Sequence, residues 1–375
     1  MKLLMFWHAG GVPSYFERYK QLAKYYKDVV VVIPNHWNEG GKKLTNLKEI
    51  QLLDNCKIIP IKTKFYSKQT TLIYSKREVK NILKSFDPDV VHIHEEPWAF
   101  SCFQLIKQCK KIMRNRGKII VDSAAINLSR TLFPFSYIEK NTYKNVDFIF
   151  ARNKEVIEIL KQRGYKGPTH LLGNGVDTKL FKASPIPFQN KNDIIFVGRI
   201  IESKGIFTLL DAFKELIHSE TQYEGNLIFL GDGSDKKELE ERTINYKLTE
   251  RVKFFSRVDS TEVSNYIQDA RALVLPSIST KLWKEQFGRV IIEALVVGRP
   301  VIGSTCGEIP NVIGNNEYIF TENNVEELFS KMRYIISEKF TDKINEDLTE
   351  MRNKAIDKYD WASLAKYHYK INLER

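Results

Sequence analysis

Short runs of β-branched and aromatic residues alternate with helix-period segments along the whole chain, and they do so in two separate series. In the first, strand candidates lie at 2–7, 29–33, 57–61, 90–93, 119–122 and 148–151, with helical segments at 14–25, 72–86 and 98–115 among them. A polar, proline-containing stretch at 183–193 interrupts the pattern and is the expected linker. A second series follows at 194–197, 227–230, 252–255, 273–275 and 300–302. Helices between successive strands supply the crossovers that parallel strands need. The expectation is therefore an α/β protein whose parallel sheets are covered on both faces. With 375 residues the chain can build two such domains, each with its own core.

Composition narrows the function classes. A chain 43% hydrophobic and 28% charged reads as soluble and globular. No apolar run approaches the roughly 18 residues needed to cross a membrane, and Met1 to Trp7 is too short for a leader and reads as a first strand. Cys56, Cys102, Cys109 and Cys306 lack metal-ligand spacing and read as reduced thiols of a cytoplasmic protein. The formal net charge is +12, yet residues 1–184 hold 32 Lys and Arg against 16 Asp and Glu, and the remainder 26 against 30. The excess in the first half suits docking on the anionic inner face of a membrane, for which Lys107, Lys110, Lys111 and Arg114 are the candidate cluster. Generic solubility charge is the plain alternative. No nucleic-acid-binding motif accompanies the charge, so nucleic acid is not an expected partner.

The run Lys-Glu-Gln-Phe-Gly-Arg-Val-Ile-Ile-Glu-Ala-Leu carries two carboxylates eight positions apart, Glu285 and Glu293. Glu293 lies among Val290, Ile291, Ile292, Ala294 and Leu295, where a buried carboxylate needs hydrogen-bond partners. Upstream, Val197-Gly198-Arg199 closes a strand and Lys204-Gly205 opens the next helix, so two cations and oriented N–H groups converge as a diphosphate would require. Gly10-Gly11 follows the first strand, where glycine permits close backbone approach to a ligand. His92 and His94 alternate about Ile93 and point to one face, as metal ligands or, more simply, as buried hydrogen-bonded histidines. Asp87-Pro88-Asp89 reads as a turn before a strand, and nothing else suggests an essential metal.

These pieces, together with Glu95-Glu96-Pro97-Trp98, Gly175-Val176-Asp177, Gly231-Asp232-Gly233, Gly298-Arg299-Pro300 and Gly307-Glu308-Ile309-Pro310, resemble in order and spacing the retaining glycosyltransferases of family 4 (glycosyl transferases group 1). The resemblance runs along most of the chain. It implies the GT-B fold: two Rossmann-like, doubly wound domains facing a cleft, with a C-terminal helix crossing back to the first. The first, 1–184 with the aromatic tail 359–375, would bind the acceptor, and the second, 190–358, a nucleotide-diphosphate sugar as donor substrate, with no cofactor.

By the same resemblance Arg199 and Lys204 hold the leaving diphosphate, Glu293 the ribose hydroxyls, and Glu285 the transferred sugar. Backbone groups at Phe287 and Gly288 would face the sugar or phosphates, and those at Arg257 and Val258 the base. Gly10, Gly11 and Gly198 would admit the donor closely, while Glu95 and Glu96 would line the acceptor side. The chain departs from the pattern after the strand at 119–122, where many relatives carry a histidine. Here Ser123-Ala124-Ala125-Ile126-Asn127 stands instead, leaving Asn127 as the acceptor-side candidate. The implied reaction is sugar transfer, with retention, to a glycan or lipid-linked acceptor in surface-polysaccharide assembly. A GT-B nucleotide-sugar epimerase and a non-catalytic glycan- or nucleotide-binding relative are the alternatives.

Overall fold

The run Asp28–Pro34 is buried from its second residue to its last, as a strand covered on both faces must be. It belongs to an eight-stranded sheet in the computed structural model, which describes residues 1–39, 42–65, 68–114, 116–124, 132–220, 222–281 and 283–374, apart from the side chains at 38, 39 and 42–44. The strands are β1 (Lys2–Phe6), β2 (Asp28–Pro34), β3 (Ile50–Leu53), β4 (Cys56–Ile61), β5 (Val90–Ile93), β6 (Lys118–Ser123), β7 (Phe148–Ala151) and β8 (Thr169–Leu171). Their spatial order is β8-β7-β6-β5-β1-β2-β4-β3, all parallel except the edge pair β3 and β4. The order reverses between β1 and β5, where Leu3 pairs with Val90 and Phe6 with Ile93.

A second sheet, of six strands, is parallel throughout. It consists of β9 (Ile194–Val197), β10 (Leu227–Leu230), β11 (Val252–Phe255), β12 (Ala272–Leu275), β13 (Val301–Ser304) and β14 (Ile319–Phe320). The order is β11-β10-β9-β12-β13-β14, with the reversal between β9 and β12. Ligands of open α/β sheets collect beyond the carboxyl ends of the strands at such reversals.

The chain forms two compact units, Met1–Gly173 with Trp361–Arg375, and Asn174–Asp360. The stretch at 183–193, expected to be a linker, lies within the second unit: Val176, Phe181 and Phe188 are buried in its core. Phe188 is an apolar anchor that the surrounding prolines and polar residues mask in the sequence. The terminal helix Trp361–Leu373 joins the core of the first unit through Trp361, Leu364, Ala365 and Ile371. The helix expected at 72–86 begins later, at Lys76, because Ser75 caps it by accepting from the Glu78 amide. Asp87 follows in the left-handed region and Asp89 accepts from the Lys2 amide at 2.7 Å, the turn that the sequence implied.

Candidate active site

In the second unit, the loop after β9 is pressed against the end of β12. Gly205 has φ +68°, and a Cβ there would lie 1.8 Å from the Pro276 carbonyl oxygen. Only glycine permits that approach. The helix Ile206–Ser219 follows at once, so Lys204 is carried to the reversal point of the sheet. Its Nζ lies 2.5 Å from Glu285 Oε2 and 4.6 Å from the centre of the Trp283 ring. Ser277, just past β12, donates its hydroxyl to the same carboxylate oxygen at 3.1 Å.

The backbone of Glu285 is fixed independently. Its amide donates to Cys306 Sγ at 3.4 Å and its carbonyl accepts from the Glu308 amide at 3.0 Å. Gly307, with φ +58°, makes room, since a Cβ there would meet the Glu285 carbonyl oxygen at 2.2 Å. Gly288 (φ +73°) then caps the helix Arg289–Val297. Phe287 turns its ring into the core against Tyr359, 5.1 Å between centroids, so only its backbone is left for a ligand.

Glu293 is buried on that helix, with Oε1 3.0 Å from Arg289 Nε one turn earlier. Burial pushes its carboxyl above the usual range, and the Arg289 charge and hydrogen bond pull it back in part. Arg199 is exposed after Gly198 and has no ion-pair partner among the described residues. The Arg257 amide donates to Asp232 at 2.9 Å, while Val258 is half-buried against the core. Lys204 and Glu285 are thus brought into direct contact, joined by Ser277 and Trp283, two residues that the sequence reading did not single out. Glu293 is instead paired with Arg289 on its own helix.

The first unit presents a different arrangement at its own reversal point. His8 follows β1, and its Nδ1 lies 2.8 Å from Glu95 Oε2, while its amide donates to Oε1 at 3.0 Å. Tyr74 and Gln69 donate to the same buried carboxylate at 3.3 and 3.4 Å. Glu95, read as lining the acceptor side, is therefore enclosed by His8, Tyr74 and Gln69. Glu96 accepts from Ser123 Oγ at 3.1 Å and from the Ala124 amide at 2.9 Å, and burial pushes its carboxyl up to about 7. Gly10 and Gly11 are packed by their own unit: a Cβ at either would lie 2.9 Å from the Tyr19 hydroxyl or from Ile33. Asn127 lies outside the described residues.

Behind this edge runs a buried polar line. Tyr26 meets His368 at 3.0 Å, His368 meets His92 at 3.1 Å, and His92 meets Asp122 at 2.7 Å. Asp122 also pairs with His94, so the two alternating histidines do share a face and a partner. Burial opposes ionisation of Asp122, but the His94 and His92 contacts outweigh it and hold the carboxyl well below its usual range. Burial pushes His94 down to about 3 and His368 well below the ordinary value, so both are neutral at pH 7. His92, His94 and Asp122 place three ligand atoms within 4.8 Å of one another, the separation a metal ion needs. However, Arg18 lies 3.3 Å from His94 Nδ1, and Arg152 lies 3.4 Å from His94 Nε2 and 3.9 Å from Asp122. Two guanidiniums against the same ligands already balance the carboxylate and repel a dication.

Comparison with known proteins identifies the family and the fold. The family model for glycosyl transferases group 1 matches residues 177–358, and that for glycosyltransferase family 4 matches residues 10–180. An uncharacterized glycosyltransferase of Methanocaldococcus jannaschii is 24% identical over 299 residues, covering 77% of this chain and 76% of its own. The glycogen synthase of Mycobacterium tuberculosis is 24% identical over 247 residues, covering 62% of this chain and 56% of its own. Among solved structures, Anabaena HepE in complex with UDP superposes with a TM-score of 0.74 at 18% identity, covering 99% of both chains. With the two family models spanning residues 10–358 between them, the chain belongs to the glycosyltransferases of group 1 and family 4 and has their two-domain GT-B fold.

Proposed function

We propose that the protein transfers a sugar from a nucleotide-diphosphate sugar to a glycan or lipid-linked acceptor, with retention at the anomeric carbon and without a metal ion. The observation that carries this reading is the Lys204–Glu285 contact at the reversal point of the second sheet. A cation held there by a fixed carboxylate is placed before the donor arrives, so little reorganisation accompanies the growth of charge on the departing diphosphate. Arg199, exposed on the same loop, supplies the second positive charge. Glu293 takes the ribose hydroxyls, Phe287 and Gly288 offer backbone N–H groups, and the backbone at Arg257 and Val258 faces the base. Anabaena HepE, solved with UDP and with UDP-glucose, supports a uridine diphosphate sugar as donor. Metal independence is supported by Lys204 and Arg199, two cations that can take the place of a divalent ion, and by the guanidiniums beside the cluster of His92, His94 and Asp122.

On the acceptor side we assign the role to His8. Glu95, 2.8 Å from Nδ1, orients the His8 imidazole just past β1, where a histidine can take the proton of a sugar hydroxyl. His8→Ala lowers kcat by about tenfold to a hundredfold. Glu95→Gln, which keeps the size but not the charge, lowers it less and shifts its pH profile. A profile unchanged in both variants would remove this assignment.

A thermal-shift panel of UDP, GDP, ADP, CMP and their sugars tests the donor reading. One nucleoside diphosphate raises the unfolding temperature selectively, since a ligand at 100 times its dissociation constant adds about 2.7 kcal/mol. Glu293→Ala abolishes that shift. An identical response in wild type and variant sinks the ribose role.

A further inference from the structure

The helices Phe100–Met113 and Phe135–Asn145 pack on each other and carry a surface to which the proposed donor chemistry assigns no role. On the first, Phe103, Lys107, Lys110, Lys111 and Arg114 recur at spacings of three and four, one helical stripe. On the second, Tyr137, Lys140 and Lys144 do the same. The stripes meet where the Phe103 and Tyr137 rings stand 6.0 Å apart, with Lys107 Nζ 4.2 Å above the Phe103 ring. All six cations are exposed, and neither helix exposes an acid: the first has none, and Glu139 on the second is buried against Arg163 at 3.1 Å.

Immediately before the second helix stand Leu132 and Phe133, 80% and 83% exposed, with Tyr137 at 56%. Leu132 and Phe133 are the most exposed large apolar side chains among the described residues. Three apolar side chains projecting beside unopposed lysines lose hydration only by entering a nonpolar phase that also attracts cations.

We propose that this face docks on an anionic lipid bilayer, with Leu132, Phe133 and Tyr137 entering the boundary between headgroups and acyl chains and the two lysine stripes lying along the headgroups. A soluble polyanion would satisfy the lysines but offers Leu132 nothing to pack against. The proposal is independent of the donor chemistry, which belongs to residues of the second unit, so either can fail without the other.

The test is co-sedimentation of the full chain with vesicles of phosphatidylcholine alone and of phosphatidylcholine mixed with phosphatidylglycerol, beside a heparin-binding assay. Wild type binds the mixed vesicles and not the neutral ones, and added salt weakens the binding. Combined replacement Lys107→Ser, Lys110→Ser and Lys140→Ser lowers partitioning by about a hundredfold. Leu132→Ser with Phe133→Ser lowers it by about tenfold while leaving heparin binding unchanged. Far-ultraviolet circular dichroism and a thermal unfolding midpoint that match wild type in every variant show that the variants fold. Equal wild-type binding to neutral and anionic vesicles, no loss in the lysine variant, or a Leu132/Phe133 variant that binds vesicles as wild type does, would overturn the proposal.

Discussion

Glu285→Gln lowers kcat by about a hundredfold or more while UDP binds within a few-fold of wild type. The glutamine keeps the shape and the backbone clamp at Cys306 and Glu308. What it removes is the negative charge 2.5 Å from Lys204 Nζ. Without it the ammonium is no longer anchored at the end of β12 and settles over Trp283 or turns to water. The group that meets the developing diphosphate charge must then be collected during the reaction rather than before it. Single-turnover measurement with saturating donor separates the two effects. A loss confined to KM would mean that Glu285 binds the ground state alone.

Asp122→Ala destabilises the first unit by about 3–5 kcal/mol, since it strips a buried carboxylate from between two guanidiniums and two imidazoles. Arg18 and Arg152 keep their charges without a counter-ion, and His92 loses its 2.7 Å partner. Urea denaturation monitored by a probe in the first unit measures the loss, and an unchanged midpoint would show that the line is not electrostatically coupled. The sign of the pH dependence follows from the shifts. His94 and His368 are depressed in the folded state, as is Asp122, so folding disfavours proton uptake at each. The stability that these three groups contribute is therefore full above about pH 6.5 and declines as acid protonates the unfolded imidazoles and then the unfolded carboxylate.

Strand and helix alternation was legible because it depends on local period, and it led to the parallel sheets and their class. The edge strand β3 was not, since Ile50–Leu53 is short, alternately exposed and antiparallel. At the candidate site the motif around Glu285 was visible, while its contact with Lys204, 81 positions away, follows only from the reversal of strand order. His8 escaped notice for the same reason: nothing near it in sequence marks it, and its partner Glu95 is 87 positions on. A histidine one or two residues past a first strand, in a chain that lacks the usual one, is the signal that could have found it. The alternation of His92 and His94 did foretell a shared partner, but not that a third histidine would arrive from the last helix.

That third histidine ties the first unit to the order of synthesis. His368 completes the line from Tyr26 to Asp122, and Trp361, Leu364 and Ile371 fill the core beneath β1 and β2. All four follow the 187 residues of Asn174–Asp360 in the chain. A nascent polypeptide therefore has every strand of its first sheet long before it has the helix that seals it. Until the ribosome reaches the final turn, that half must wait with an open apolar seam and a histidine short, so the second unit is the first that can finish folding.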